Sequence, residues 1–277
     1  MDTDEGYLII NGHEENIFEI NLLIQSIKHI DSKKRIGVIA NYKDLKFIDA
    51  DDIIYIDEPN PTVLFFKSLL ASPYTKTIAL LPDQLLTSFN PNIWENLRGM
   101  NSVVLPKNRY SFNNNVIDPT LYALAQSEIK SFGLTSIPNA VYFNKKCGSD
   151  YIFGLAIILS ANYEQNDYID FFADKEHNMP SFPEYIWPSW ILSFLQSITS
   201  DKISTFDFVY CIDLSKQENN YINNNYTKRW SEFLTYWVND RGTLKIENFV
   251  QQGLIKYDSS AWLTEDTKRN LKNAWII

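Results

Sequence analysis

Cysteines, histidines and carboxylates are the residues of this 277-residue chain from which chemistry could be built, and their spacing removes several chemistries at once. Cys147 and Cys211 are too few for a disulfide scaffold and lack zinc-site spacing, so both read as buried thiols in a reducing compartment. His13-Glu14-Glu15 lacks the second histidine of a zinc-protease helix, and no glycine-rich dinucleotide loop, Walker loop or nucleophile elbow occurs. Two acidic features remain. Asp83 stands between Pro82 and Gln84, directly after the apolar run Thr77-Ile78-Ala79-Leu80-Leu81. Asp174-Lys175-Glu176-His177 lies in a stretch rich in proline and aromatics. Carboxylates so placed can move a proton or hold a cation. They can equally be a turn acid and a solvated loop.

The elements that must position these residues are legible as apolar runs. Gly6 to Gly12, Arg35 to Ala40, Asp52 to Asp57 and Thr77 to Leu81 read as buried strands bounded by turn residues. Asn16 with Glu19 suggests a capping box, and Ile17, Ile20, Leu23, Ile24, Ile27 and Ile30 recur at helical spacing behind it. Asn60-Pro61 opens a second helix with proline at its first position, where the missing N–H costs nothing. Further on, a short helix follows Asn90-Pro91, then a strand to Leu105, a helix from Asp118 to Gly133, a strand from Asn139 to Asn144 and an apolar helix over 150–163. Phe206 to Ile212 reads as a strand, and Trp230, Phe233, Leu234 and Trp237 as one face of a helix. Continuous apolar strands alternating with helices predict an α/β sheet covered on both faces. The expected division is an α/β domain over 1–166 and an aromatic-rich, helical C-terminal subdomain over 167–277, packed on the same core.

Composition narrows the partners. With 45% hydrophobic residues the chain can build its core without disulfide or metal staples. Its 25 Lys and Arg against 34 Asp and Glu give a net charge of −9, which disfavours nucleic acid, whose binding draws on a basic face. The acidic start Met1-Asp2-Thr3-Asp4-Glu5 is unlike a targeting peptide, and the most apolar stretch, Tyr151 to Ala161, is too short to cross a bilayer. The expectation is a protein of the cytoplasm without a membrane span.

Three stretches, in order, resemble GT-A-type nucleotide-sugar glycosyltransferases. The first is the opening strand, the turn Asn11-Gly12-His13-Glu14, the long helix and Ile36-Gly37-Val38-Ile39. Phe66 to Leu86 is similar to the family's central block, in which a helix ends in Ser-Pro-aromatic (here Ser72-Pro73-Tyr74) and a strand runs into an Asp-x-Asp motif. The third stretch, Ile137-Pro138-Asn139-Ala140-Val141-Tyr142-Phe143-Asn144-Lys145, is similar to the family's strand that opens on an Asn-small pair. Together they cover roughly residues 6–165.

The resemblance implies a Rossmann-type mixed sheet of GT-A form, a UDP- or GDP-sugar donor, and transfer of the sugar to an unidentified acceptor hydroxyl. It implies Mn²⁺ or Mg²⁺ as well, because charge builds on the leaving diphosphate and must be met by a metal or by Lys/Arg donors. On the Asp-x-Asp pattern Asp83 takes the second, metal-binding place, while Leu81 occupies the first acid's place and leaves its role unfilled. Asn11, Gly12, His13 and Asp44 fall where the family holds base and ribose. Lys67 lies where related enzymes offer a cation to the nucleotide, and Asn139 and Ala140 lie beside the sugar. Asp174 or Glu176 would act as base for the acceptor, with His177 completing a metal shell. Two rivals stand beside this reading. One is a non-catalytic carbohydrate-binding or assembly module of the same fold. The other is a nucleotidyltransferase, which the acidic Asn11 to Glu15 loop opposes, since it would repel a triphosphate.

Overall fold

The first strand sets the pattern for the molecule. In β1 (Glu5–Gly12), Tyr7 and Ile9 enter one apolar cluster and Leu8 and Ile10 enter another, so a period of two becomes burial on both faces. The computed structural model describes residues 4–12, 16–43, 46–47, 49–88, 92–100, 102–116, 140–162, 191–192, 195–196, 198–199, 201–214, 231, 234–239, 243–257 and 262–274. The expected helix from Asp118 to Gly133 and the proline- and aromatic-rich stretch before Trp190 lie outside them.

Among the described residues, one seven-stranded sheet has the order β3-β2-β1-β4-β8-β6-β9. Its strands are β1, β2 (Arg35–Ala40), β3 (Asp52–Tyr55), β4 (Lys76–Leu80), β6 (Val103–Leu105), β8 (Ala140–Asn144) and β9 (Ile203–Thr205). β1 pairs in parallel with β2 and β4, β2 with β3, and β6 with β9; β8 alone runs antiparallel, between β4 and β6. Helices α1 (Ile17–Ile30) and α3 (Ile93–Arg98) cover one face, and α2 (Pro61–Leu70) and α4 (Ser149–Ala161) cover the other.

Local chemistry explains several of these elements. Asn60 caps α2 by accepting the N–H groups of Thr62 and Val63, and Pro61 occupies its first position, as the sequence leads one to expect. The expected capping box of α1 does not form. The Asn16 side chain caps nothing, and Glu19 has one buried oxygen without a hydrogen-bond partner. Burial of Ile20, Leu23, Ile24 and Ile27 holds this helix instead. The residues that carry the family resemblance also have structural work. The ring of Tyr74 covers Gly6, where an added Cβ would lie 2.5 Å from it, and its hydroxyl donates to Asp52 at 2.8 Å. Lys145 Nζ donates to the carbonyls of Leu70 and Ser72, closing the C-terminal end of α2.

A second sheet, β5-β14-β10-β7, begins where three strands of the first one end. β5 (Gln84–Leu86), β7 (Arg109–Tyr110) and β10 (Cys211–Asp213) each follow β4, β6 or β9 after a short connection, and β14 (Leu254–Lys256) inserts between β5 and β10. A third sheet joins β11 (Tyr236–Val238), β12 (Leu244–Ile246) and β13 (Phe249–Val250), and α5 (Glu265–Ala274) follows. Ile212, Ile255, Ile246, Trp262 and Leu271 form the shared core of this region, and Leu22 of α1 joins it.

Three expectations need correction here. The run from Phe206 to Ile212 is split: β9 ends at Thr205, β10 starts at Cys211, and the Asp207 carboxylate between them accepts from the backbone and side chain of Asn108. That acceptor favours a turn over a ladder. Trp237 lies in strand β11, because Tyr236–Val238 finds a partner in β12, and long-range pairing overrides the local helical spacing. Cys147 is exposed on the turn before α4, whereas Cys211 is buried as expected. In native protein, thiol titration with a colorimetric disulfide reagent is expected to modify Cys147 promptly and Cys211 only on unfolding; equal rates would contradict this packing.

Candidate functional site

Strand order locates the site before any side chain does. The chain leaves β1 toward β2 and β3 on one side and reaches β4, β8, β6 and β9 on the other, so the order reverses between β1 and β4. In open α/β sheets a ligand crevice lies at that switch point, beyond the carboxyl ends of the strands. Ile9 of β1 is in register with Leu80 of β4, so Asn11 and Gly12 on one strand and Pro82 and Asp83 on the other emerge side by side. Ala140 reaches the same edge from the opposite direction, because β8 is antiparallel and pairs Ala140 with Leu80. The structure therefore brings Asn11, Gly12, Asp83 and Ala140 to one edge.

Asp83 is held in a tight turn. Gln84, fully buried, accepts the Leu81 N–H on its side-chain oxygen at 2.9 Å, and the Asp83 carbonyl accepts the Tyr257 N–H at 3.1 Å. The carboxylate is 30% exposed and lies 3.8 Å from the ammonium of Lys256, itself 22% exposed. Lys256 faces Gln84 across the β5–β14 ladder and is also in register with the buried Asp213 of β10. Tyr257 is buried beside this pair; burial, with the charges of Glu19 and Asp83, pushes its hydroxyl well above the ordinary tyrosine value. It stays protonated at any working pH and serves as no base.

Lys67 is on α2 and pairs at 2.6 Å with Glu58, which lies just before the cap of that helix. Burial pushes the Glu58 carboxyl up, but hydrogen bonds from Lys67 and the Asn60 N–H outweigh it and leave it below its ordinary value. His13, Asp44, Asn139, Asp174, Glu176 and His177 lie outside the described residues. Sequence reasoning missed Lys256. Its only local signal is a cation closing the apolar run Leu254-Ile255, and nothing in that run points back to Asp83.

A divalent cation asks for several oxygen ligands. Among the described residues no group of three or more His, Cys, Asp or Glu is placed to hold a metal ion. Asp83 brings one carboxylate with an ammonium beside it, and Leu81 holds the position of a second acid. The described residues do not fit a divalent cation at Asp83.

No protein-family model matches the chain, and no curated protein matches it in sequence. Solved structures resemble it in fold. The glycosyltransferase GlyE of Streptococcus pneumoniae TIGR4 superposes with a TM-score of 0.43 at 13% identity, over 80% of this chain and 50% of its own. The galactosyltransferase LgtC, solved with donor and acceptor sugar analogs, gives 0.46 at 12% identity over 97% of this chain and 95% of its own. Mouse xyloside xylosyltransferase 1 gives 0.44 at 6% identity over 82% and 92%. The chain spans half the length of GlyE. At these identities the likeness is one of fold and extends no further. No described helix is long and apolar enough to cross a membrane.

Proposed function

We propose that the protein is a glycosyltransferase that moves a sugar from a UDP- or GDP-sugar to an acceptor hydroxyl. The observation that supports this most directly is the meeting of the β1 terminus, the Pro82-Asp83 turn and the start of β8 at the switch point of a mixed sheet. In this reading Asn11, Gly12, His13 and Asp44 surround the nucleotide, Lys67 flanks it, and Asn139 and Ala140 border the sugar. The 167–190 stretch meets the acceptor, with Asp174 or Glu176 as its base, and His177 would complete the shell of a metal where one binds. A Mn²⁺ or Mg²⁺ ion, where one binds, would neutralise the departing diphosphate. Asp83 meets a lysine rather than a second acid. A cytoplasmic setting accords with cysteines too few for a disulfide framework.

The test is incubation with a panel of UDP- and GDP-sugars, following release of free nucleotide. One of them is expected to be consumed, and Asp83→Ala is expected to lower that turnover about 100-fold through misplacement of its neighbours. Failure to bind or consume any member of the panel overturns the reading. The second reading, a non-catalytic carbohydrate-binding module, draws on Leu81 in place of an acid. Glycan binding without nucleotide release would decide for it.

A further inference from the structure

We infer that Lys256, positioned by Asp83, meets the charge of the nucleotide diphosphate directly, so that nucleotide binding at this edge requires no divalent cation. The inference rests on the glycosyltransferase reading and adds to it the group that recognises the phosphates.

Geometry is the first support. The turn from Leu81 to Gln84 is tied within itself by the Gln84 side chain and tied to β14 by the Tyr257 N–H. Antiparallel register then sets Lys256 opposite Gln84, one residue from Asp83. The two charged side chains are thereby brought together by paired backbone rather than by flexible loop. Charge is the second. An ammonium 3.8 Å from the carboxylate would repel a dication brought to Asp83. Donor count is the third. A lysine ammonium has three donors, and a contact as long as 3.8 Å engages them weakly, which leaves N–H groups for phosphate oxygens. Exposure completes the case, since both side chains keep part of their surface open at the sheet edge while Ile255 and Tyr257 beside them are fully buried. Asp83 then acts as a positioning residue that keeps the lysine aimed.

Calorimetric titration of the whole chain with UDP and with GDP, once in EDTA and once in Mn²⁺, tests this. One nucleotide is expected to bind in EDTA with a dissociation constant close to that in Mn²⁺. Lys256→Met is expected to weaken binding in EDTA about tenfold or more, and Lys256→Arg to retain most of it. Asp83→Asn should keep metal-free binding, because the lysine remains. Thermal midpoints of the three variants separate lost binding from lost folding. Binding only with Mn²⁺, abolished by Asp83→Asn, overturns the inference and leaves the glycosyltransferase reading standing. Binding in EDTA that Lys256→Met leaves unchanged also overturns it. If neither nucleotide binds in either buffer, both readings fall.

Discussion

Gly253→Ala is expected to destabilise the protein by about 3 kcal/mol or more, and so to lower its thermal midpoint by roughly 6–12 °C. Gly253 has a φ of +103°, in the left-handed half of the backbone map, where a Cβ is strained. A Cβ there would also sit 2.2 Å from the backbone carbonyl oxygen of Tyr210. That oxygen cannot move aside cheaply, because it accepts the Leu254 N–H at 2.8 Å at the start of the β10–β14 pairing. The Gly253 carbonyl accepts the Thr87 N–H on the other side, so the glycine is stitched to both neighbours of β14. The same strand carries Lys256, and loss of its register would disturb the Asp83 pair as well. Gly154→Ala in α4 is the control. Nothing lies within 4 Å of its added Cβ, and alanine is the better helix former by about 1 kcal/mol, so its midpoint should hold or rise. Calorimetric or circular-dichroism melting reads both, and equal midpoints for the two variants would contradict the packing described.

Glu5→Gln is expected to cost about 3 kcal/mol at neutral pH, and the cost should vanish in acid. Glu5 opens β1 at the end of the sheet away from the switch point and is almost completely buried. Burial alone would push its carboxyl up. Hydrogen bonds from Arg98 and Lys34, together with their charges, outweigh burial and bring the pKa down to about 2, from an ordinary 4.5. Lys76 adds a further ion pair at 3.3 Å. A carboxylate whose folded pKa is depressed stabilises the fold above its unfolded value, and that stability is lost as pH falls through the folded one. Urea titrations at several pH values should therefore show the wild type and Glu5→Gln far apart near pH 7 and converging as pH falls from about 5 toward 2. A difference independent of pH would show that packing, not charge, holds this corner.

Much of the sheet was written in local pattern. The runs in β1, β2 and β4 are apolar throughout because both faces are buried, and that needs no knowledge of what covers them. Asn60-Pro61 marks the start of α2 for a reason confined to four residues. The sequence by itself also brings Asp83 to the tip of a strand, since the apolar run ends at Pro82. Short elements behaved otherwise. β9, β10 and β11 span three residues each, too few to display a period, and Tyr236–Val238 became a strand only because Leu244–Ile246 was there to pair with it. Glu19 was placed for a capping box, yet the apolar face of α1 decided the helix without it.

The environment of Asp83 was settled in the same long-range way. Seen from its neighbours in the chain, it is an acid after a proline and nothing more. Tertiary structure adds a cation from a strand that lies near the other end of the sequence and runs antiparallel to β5. Whether a carboxylate meets a metal or an ammonium depends on such partners, because Coulomb interaction follows distance in space and is indifferent to distance along the chain.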